Sequence, residues 1–309
     1  MPDLLPDRPL RTWLFVPGAA QRYMAKLRSA PSVDAGKSGS PEPAAQARPD
    51  VIVLDLEDAV AADERDAARE RVAGVLRAEA GAFVAPICVR THSASDPAFE
   101  DDLAALGPGL AALVLPKVLG AGEVRHAAER LERVGLGTAG LVVMVESAAG
   151  LRDIDAILAA HPSVRAVAFG AEDMAADLGL PPGGVGPEAD AARRGVLDTV
   201  RATLVVAASA AGIRRRIDSP TLQLRDLRQV EDDARRARAM GFDAKFAIHP
   251  SHLDALRRGF SPNASEVAWA RKVLTVAGMG AVASGGKMVD EAVVRQARDV
   301  LAEAEETAS

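Results

Sequence analysis

One cysteine in 309 residues, Cys88, leaves no partner for an intramolecular disulfide and fits a reducing compartment. Cys88 stands in the apolar run FVAPICVR, so it reads as a core residue rather than a nucleophile. Aromatic residues are also scarce, at 3%. Ala, Val and Leu must therefore fill the interior, which suits helices packed on a sheet. An excess of positive charge is missing too. The net charge is −6, with acids and bases interspersed, so nucleic acid is not an expected partner. That balance does not exclude a small anionic ligand, because local bases override the net field. No apolar run approaches the roughly 18 residues of a membrane span. The opening MPDLLPDRPL lacks the apolar stretch of a signal peptide. A cytoplasmic protein that contacts no membrane is expected.

What the chain does contain is a regular alternation. Short apolar, β-branched runs recur at 12–16, 51–56, 83–90, 112–116, 141–146, 166–170, 213–219 and 244–249. Helical stretches rich in Ala, Arg and Glu, such as DERDAARERVAGVLRAEA and QVEDDARRARAMG, lie between them. Strands alternating with helices predict right-handed crossovers and a parallel sheet. Eight such units close into an α/β fold of the (β/α)8 TIM-barrel type. The seventh strand is the weakest, because Arg214-Arg215-Arg216 interrupts it. Residues 29–49, rich in Pro, Ser, Gly and Ala, predict a flexible surface insertion in the first helix-to-strand connection. The expected division is a barrel over 1–260 and a C-terminal helical arm or lid over 261–309.

The stretch VIVLDLEDAV, residues 51–60, is a buried-strand pattern that ends in Asp55, Glu57 and Asp58. Burying unpaired carboxylates is costly, but the C-terminal strand ends of such a barrel form its active-site rim. Other strands also end in polar groups. These are Arg22 behind Pro17-Gly18, Arg90, Lys117, Glu146, the GAED run with Glu172 and Asp173, and His249. Any one of them reads equally as a solvated strand end or a helix cap, as Asp173 does for the helix after it. Together they say more. Adjacent parallel strands lie about 4.8 Å apart, so Glu146 and Asp173 can point at one spot. Two carboxylates without sulfur or imidazole suit a hard cation that keeps several waters, Mg2+. Arg90 and Lys117 supply positive charge for an anionic ligand.

RTWLFVPG, VIVLDLEDAV, ICVR, LVLPKV, VMVES, AFGAEDMAADLG, FAIHPS and GGKMVDEAVVRQA occur in that order. So ordered, they resemble the motifs of the HpcH/HpaI aldolase/citrate lyase family, in its stand-alone citrate lyase beta subunit-like branch. The resemblance implies a Mg2+-dependent barrel that cleaves or forms C–C bonds with acyl-CoA substrates. It implies Glu146 and Asp173 as metal ligands, Arg90 as the substrate-binding and catalytic Arg, and Asp290 as an acid/base carried on the arm to a neighbouring subunit. Arg22 and Lys26 are candidates for the CoA diphosphate, or equally solvated residues of the first helix. Lys117 is a substrate-binding candidate. Asp55 and Glu57 are expected behind the site, holding metal-bound waters or basic neighbours, while Asp58 starts the next loop.

The sequence departs from the family pattern in three places. Arg90-Thr91-His92 stands where relatives usually read Arg-x-Asn, Leu119 where they often carry Glu, and Ala149 where many carry Arg. His249, before Pro250-Ser251, reads as a loop-holding residue. The function so implied is a lyase splitting a short 3-hydroxyacyl-CoA, such as citramalyl-, malyl- or citryl-CoA, into acetyl-CoA and a 2-keto acid. The alternatives are a thioesterase of the same family and a non-catalytic subunit of a larger complex. The expected partners are an acyl-CoA or small carboxylic acid and further copies of the chain, in a trimer or hexamer.

Overall fold

The structure is a computed structural model that describes residues 5–6, 8–28, 48–77, 83–278, 283–284 and 287–308. The insertion expected over 29–49 lies outside the described residues up to position 47. Eight parallel strands close into a barrel in sequence order. They are β1 (Thr12–Pro17), β2 (Val51–Asp55), β3 (Ile87–Arg90), β4 (Leu110–Leu115), β5 (Gly140–Val145), β6 (Val164–Phe169), β7 (Arg215–Asp218) and β8 (Ala244–Ala247). Around them run α1 (Gln21–Lys26), α2 (Arg65–Leu76), α3 (Ala98–Ala104), α4 (Ala121–Arg133), α5 (Ala148–Arg152), α6 (Ile154–Leu158), α7 (Ala171–Asp177), α8 (Pro187–Ala210), α9 (Leu227–Ala239) and α10 (Leu253–Phe260). The fold expected from the alternation is the fold observed.

The strands read as unbroken apolar runs because both of their faces are buried. Trp13, Val53, Cys88, Val114, Val142, Ala166, Ile217 and Phe246 form a cluster inside the barrel. Leu14, Leu54, Val89, Leu113, Val143 and Val167 face outward onto Val72, Leu103, Val124, Leu204 and Val230 of the helices. Small Ala and Val side chains fill most of the interior, which is how so few aromatics suffice. Trp13 and Phe15 both pack on Phe246, with ring centroids at 6.3 and 4.6 Å. Cys88 is fully buried, and desolvation pushes its thiol up to about 12. It is a core residue without thiolate reactivity.

Two strands differ from their sequence signal. The run 83–90 is strand only from Ile87; Phe83 instead bridges Arg28, whose guanidinium lies 5.3 Å from its ring centroid. The arginine run does not break β7: Arg214 is exposed just before the strand, and the two arginines within it find acceptors beside it. Arg215 donates to the Pro6 carbonyl at 2.5 Å, and Arg216 forms a forked pair with Asp243 at 2.7 and 3.1 Å.

Beyond the barrel, α11 (Ala264–Gly278) and α12 (Glu291–Ala308) flank a short antiparallel pair, β9 (Ala283–Ser284) and β10 (Lys287–Met288). The two helices share a small core of Ala270, Val273 and Ala297. Ion pairs root them on the barrel. Arg238 reaches Glu266 at 2.7 Å and Glu303 at 2.9 Å, and Arg11 reaches Glu303 at 3.3 Å. Arg11 precedes β1 and Arg238 ends α9, so the root lies at the end opposite the strand C-termini. Among the described residues no helix is long and apolar enough to cross a membrane.

Candidate active site

The acids of VIVLDLEDAV are paired rather than stranded. Asp55 and Arg90 are register partners on β2 and β3. Arg90 forks onto Asp55, Nε at 2.8 Å and Nη2 at 2.6 Å, while the main-chain N–H groups of Glu57 and Ala59 donate to the same carboxylate at 3.0 and 3.2 Å. Four donors compensate a carboxylate that is 1% exposed. The other face of the Arg90 guanidinium lies 4.8 Å from the Phe15 ring centroid. Only Nη1 remains, 3.2 Å from Glu57 and from Asp58. Lys117 Nζ lies 2.7 Å from Glu57 and 3.6 Å from Asp58. Burial pushes the Glu57 carboxyl up despite Arg90 and Lys117.

Lys117 closes β4 in the left-handed region, with φ of +52°, a conformation costly for a residue with a Cβ. The bend turns its main-chain N–H onto Glu146 Oε1 at 2.5 Å. Among the described residues this is the single hydrogen bond Glu146 receives, although it is 4% exposed. Desolvation, helped by the charges of Asp173 and Glu57, pushes its carboxyl up to about 7 against the pull of the Lys117 N–H and Arg90. Asp173 lies in the first turn of α7, exposed, and no hydrogen-bond donor reaches it among the described residues. Its neighbour Glu172 is occupied by Arg193 at 2.8 Å.

Five carboxylates, those of Asp55, Glu57, Asp58, Glu146 and Asp173, thus face two cations, Arg90 and Lys117. The two carboxylates the protein satisfies least are Glu146 and Asp173. No group of three or more His, Cys, Asp or Glu side chains gathers as a ready-made cage among the described residues. Two oxygen ligands with room for water fit Mg2+ and do not fit a structural zinc.

The structure therefore brings Asp55, Glu57, Arg90, Lys117, Glu146 and Asp173 together. It leaves Arg22 exposed on α1 without a bond to the cluster, and the Lys26 side chain lies outside the described part. Asp290 is exposed and caps α12 by accepting the Val293 N–H at 2.9 Å, far in the chain from its own site. His249 accepts the Ser251 N–H at 3.2 Å, a loop-holding contact. Sequence reading misses two features. Gly170 ends β6 directly against Glu146: a Cβ there would overlap Oε2 and lie 2.6 Å from the Glu146 Cβ. Asp102 on α3 clamps His92 at 2.7 Å. A glycine before the acids of GAED was the only available signal for the first; nothing local announces the second.

The family model described as HpcH/HpaI aldolase/citrate lyase matches residues 38–250. A citrate lyase subunit beta-like protein of Mycobacterium tuberculosis is 34% identical over 301 residues, covering 96% of each chain. The human mitochondrial citramalyl-CoA lyase is 29% identical over 95% of this chain and 85% of its own. Among solved structures, the CitE protein of Mycobacterium tuberculosis in complex with magnesium, acetoacetate and coenzyme A superposes with a TM-score of 0.75. It is 32% identical, over 96% of this chain and 98% of that one. The resemblance read from the ordered motifs is borne out along nearly the whole chain, and the chain belongs to the HpcH/HpaI aldolase/citrate lyase family.

Proposed function

We propose that the protein is a Mg2+-dependent carbon–carbon lyase that splits, or forms, a short 3-hydroxyacyl-CoA, giving acetyl-CoA and a 2-keto acid. The observation that carries this is the under-satisfied pair Glu146 and Asp173 beside Arg90 at the barrel mouth. Relatives described as citramalyl-CoA and malyl-CoA lyases, and a structural relative holding magnesium, acetoacetate and coenzyme A, support the class. Glu146 and Asp173 would hold the ion, which supplies a Lewis acid and a template for the keto-acid half. Asp55 and Phe15 fix the Arg90 guanidinium in place, and its Nη1, held 3.2 Å from Glu57 and Asp58, would stabilise an enolate oxygen developing on the thioester. Glu57 and Asp55 hold Lys117 and Arg90 rather than the metal, which leaves the two bases correctly placed when substrate arrives.

Asp290 would exchange a proton with the enolate carbon. Its arm is rooted at the far end of its own barrel, which supports delivery to another copy and hence a homo-oligomer. Mixing the inactive variants Glu146→Ala and Asp290→Asn should then restore part of the activity, since some sites would combine an intact Glu146 with an intact Asp290. A mixture as inert as its components would place Asp290 in its own site or outside the chemistry.

The direct test is incubation with Mg2+ and citramalyl-, malyl- or citryl-CoA. Acetyl-CoA and a keto acid should appear, and Glu146→Ala should abolish them. Free CoA without acetyl-CoA would instead indicate thioester hydrolysis. A pH dependence follows from Glu146. With its carboxyl pushed up to about 7, the metal-free protein carries a proton there that Mg2+ must displace. Mg2+ affinity measured by calorimetry should fall about tenfold per pH unit below 7 and level off above it. The same shift makes the metal-free fold lose stability as pH rises from the ordinary glutamate range through 7, because the folded state holds the extra proton.

A further inference from the structure

The helix α7 begins without a cap of its own. Its N-cap position is Gly170, which has no room for a capping side chain, because a Cβ there would overlap Glu146 Oε2. The first N–H groups of a helix have no acceptor within it, and Ala171, the first residue of α7, is buried. A neighbouring strand supplies what is missing. Ser219, 3% exposed, directly follows β7. Its Oγ accepts the Ala171 N–H at 2.6 Å and donates to the Phe169 carbonyl at 2.6 Å. One hydroxyl thus grips the chain on both sides of Gly170, using its donor and an acceptor site together. The strand ladder has ended by this point: the last register partners of β6 and β7 are Ala168 and Ile217. Arg193 also reaches α7, holding Glu172 at 2.8 Å, but its other bond goes to the Pro181 carbonyl at 3.1 Å. It ties α7 to the loop after it rather than to the barrel.

The corner so gripped carries much of the metal site. Asp173 lies in the first turn of α7, a helix of seven residues, so the corner sets where its carboxylate stands. Gly170 lies against the Glu146 side chain, and its N–H reaches the Val145 carbonyl beside it at 3.1 Å. We propose that Ser219 is a positioning residue: its hydroxyl locks the corner between β6 and α7 and so holds Asp173 at its working distance from Glu146. This rests on the reading that Glu146 and Asp173 hold Mg2+. Removing the hydroxyl strips the Phe169 carbonyl and the Ala171 N–H of a partner, and such groups shift to find others. The number and charge of the ligands stay the same, and only their placement changes. Mg2+ demands near-ideal octahedral geometry, whereas Ca2+ accepts displaced ligands. The loss should therefore fall on Mg2+ more than on Ca2+, a difference that lowered stability alone would not produce.

Calorimetric titration of the full chain with MgCl2 and, separately, CaCl2 tests this, at a temperature where thermal unfolding shows every variant folded. Ser219→Ala should weaken Mg2+ at least tenfold, within the range typical of groups behind a metal ligand, and Ca2+ less than threefold. Thr221→Val is the control. Thr221 is a second buried hydroxyl two residues on, bonded to Asp233 of α9 at 2.8 Å and not to α7. Its loss should lower the melting temperature and leave Mg2+ within threefold. A Mg2+ loss below tenfold in Ser219→Ala, equal losses of Mg2+ and Ca2+, or an equal Mg2+ loss in Thr221→Val would each overturn the positioning role. If Ser219→Ala does not fold, Ser219→Cys decides: its thiol is a weak donor and acceptor, and Mg2+ should weaken at least threefold with Ca2+ unchanged. Wild-type protein without Mg2+ affinity would overturn the metal reading along with this role. An unaffected Ser219→Ala beside a wild type that binds Mg2+ would overturn this role alone.

Discussion

Replacing Gly170 by Ala should cut Mg2+ affinity by at least about 100-fold while leaving the barrel folded, a loss larger than the 10–100-fold typical of residues behind a metal ligand. Gly170 sits at φ −101° and ψ 91°, which any residue can adopt. Its N–H pairs with the Val145 carbonyl at 3.1 Å, and alanine keeps that bond. What alanine cannot keep is the space. An added methyl would overlap Glu146 Oε2 and lie 2.6 Å from the Glu146 Cβ, so the carboxylate must swing away from Asp173. A close-packed interior offers it no second position of equal quality. Gly74→Ala is the control: its Cβ would meet nothing within 4 Å, and Mg2+ binding should not change. Calorimetric titration with MgCl2 alone reads both variants. An affinity within threefold of wild type in Gly170→Ala would show that Glu146 does not hold the metal.

That single contact marks where the sequence stops being legible. The barrel can be read because parallel strands buried on both faces are short, unbroken apolar runs, and because strand and helix periods alternate eight times. The acids at the strand ends can be read as a class, since charge closing a buried strand has to reach the rim. Their division of labour cannot. Asp55 and Glu57 are as acidic on paper as Glu146, yet Arg90 and Lys117 neutralise them, and that pairing exists only once β2, β3 and β4 are neighbours. Asp102 looks like a surface residue in AFEDDLA, but packing buries it completely against His92 and Arg69. The left-handed turn at Lys117 is hidden for a similar reason: lysine carries no turn signal, and the bend is imposed by what its N–H must hold.

The other large effect is on stability, at a place with no part in the chemistry. Asp218 on β7 and Lys245 on β8 are both nearly fully buried, with Nζ 2.6 Å from Oδ2. Arg201 of α8 reaches Oδ1 at 2.8 Å and lies 5.0 Å from the Phe169 ring centroid. Burial raises the Asp218 carboxyl, but Lys245 and Arg201 more than reverse it and hold it below the ordinary aspartate range. Asp218→Leu would leave Lys245 charged, desolvated and unpaired. Breaking a buried pair from one side costs about 3–5 kcal/mol. At about 2–4 °C per kcal/mol, the melting temperature should fall by roughly 10 °C. Arg201 keeps Asp198 at 3.3 Å, so its share of the loss is smaller. Adding Lys245→Met to Asp218→Leu removes the stranded charge and fills the same volume with apolar atoms, so the double variant should regain most of the stability. Thermal unfolding of the two single variants and the double variant measures the coupling directly. If the double variant is as unstable as the sum of the singles, the cost lies in lost packing between β7, β8 and α8 rather than in the stranded charge. Mg2+ affinity at a temperature where all three are folded should match wild type, because the ion pair sits in the wall between barrel and helices rather than at the mouth.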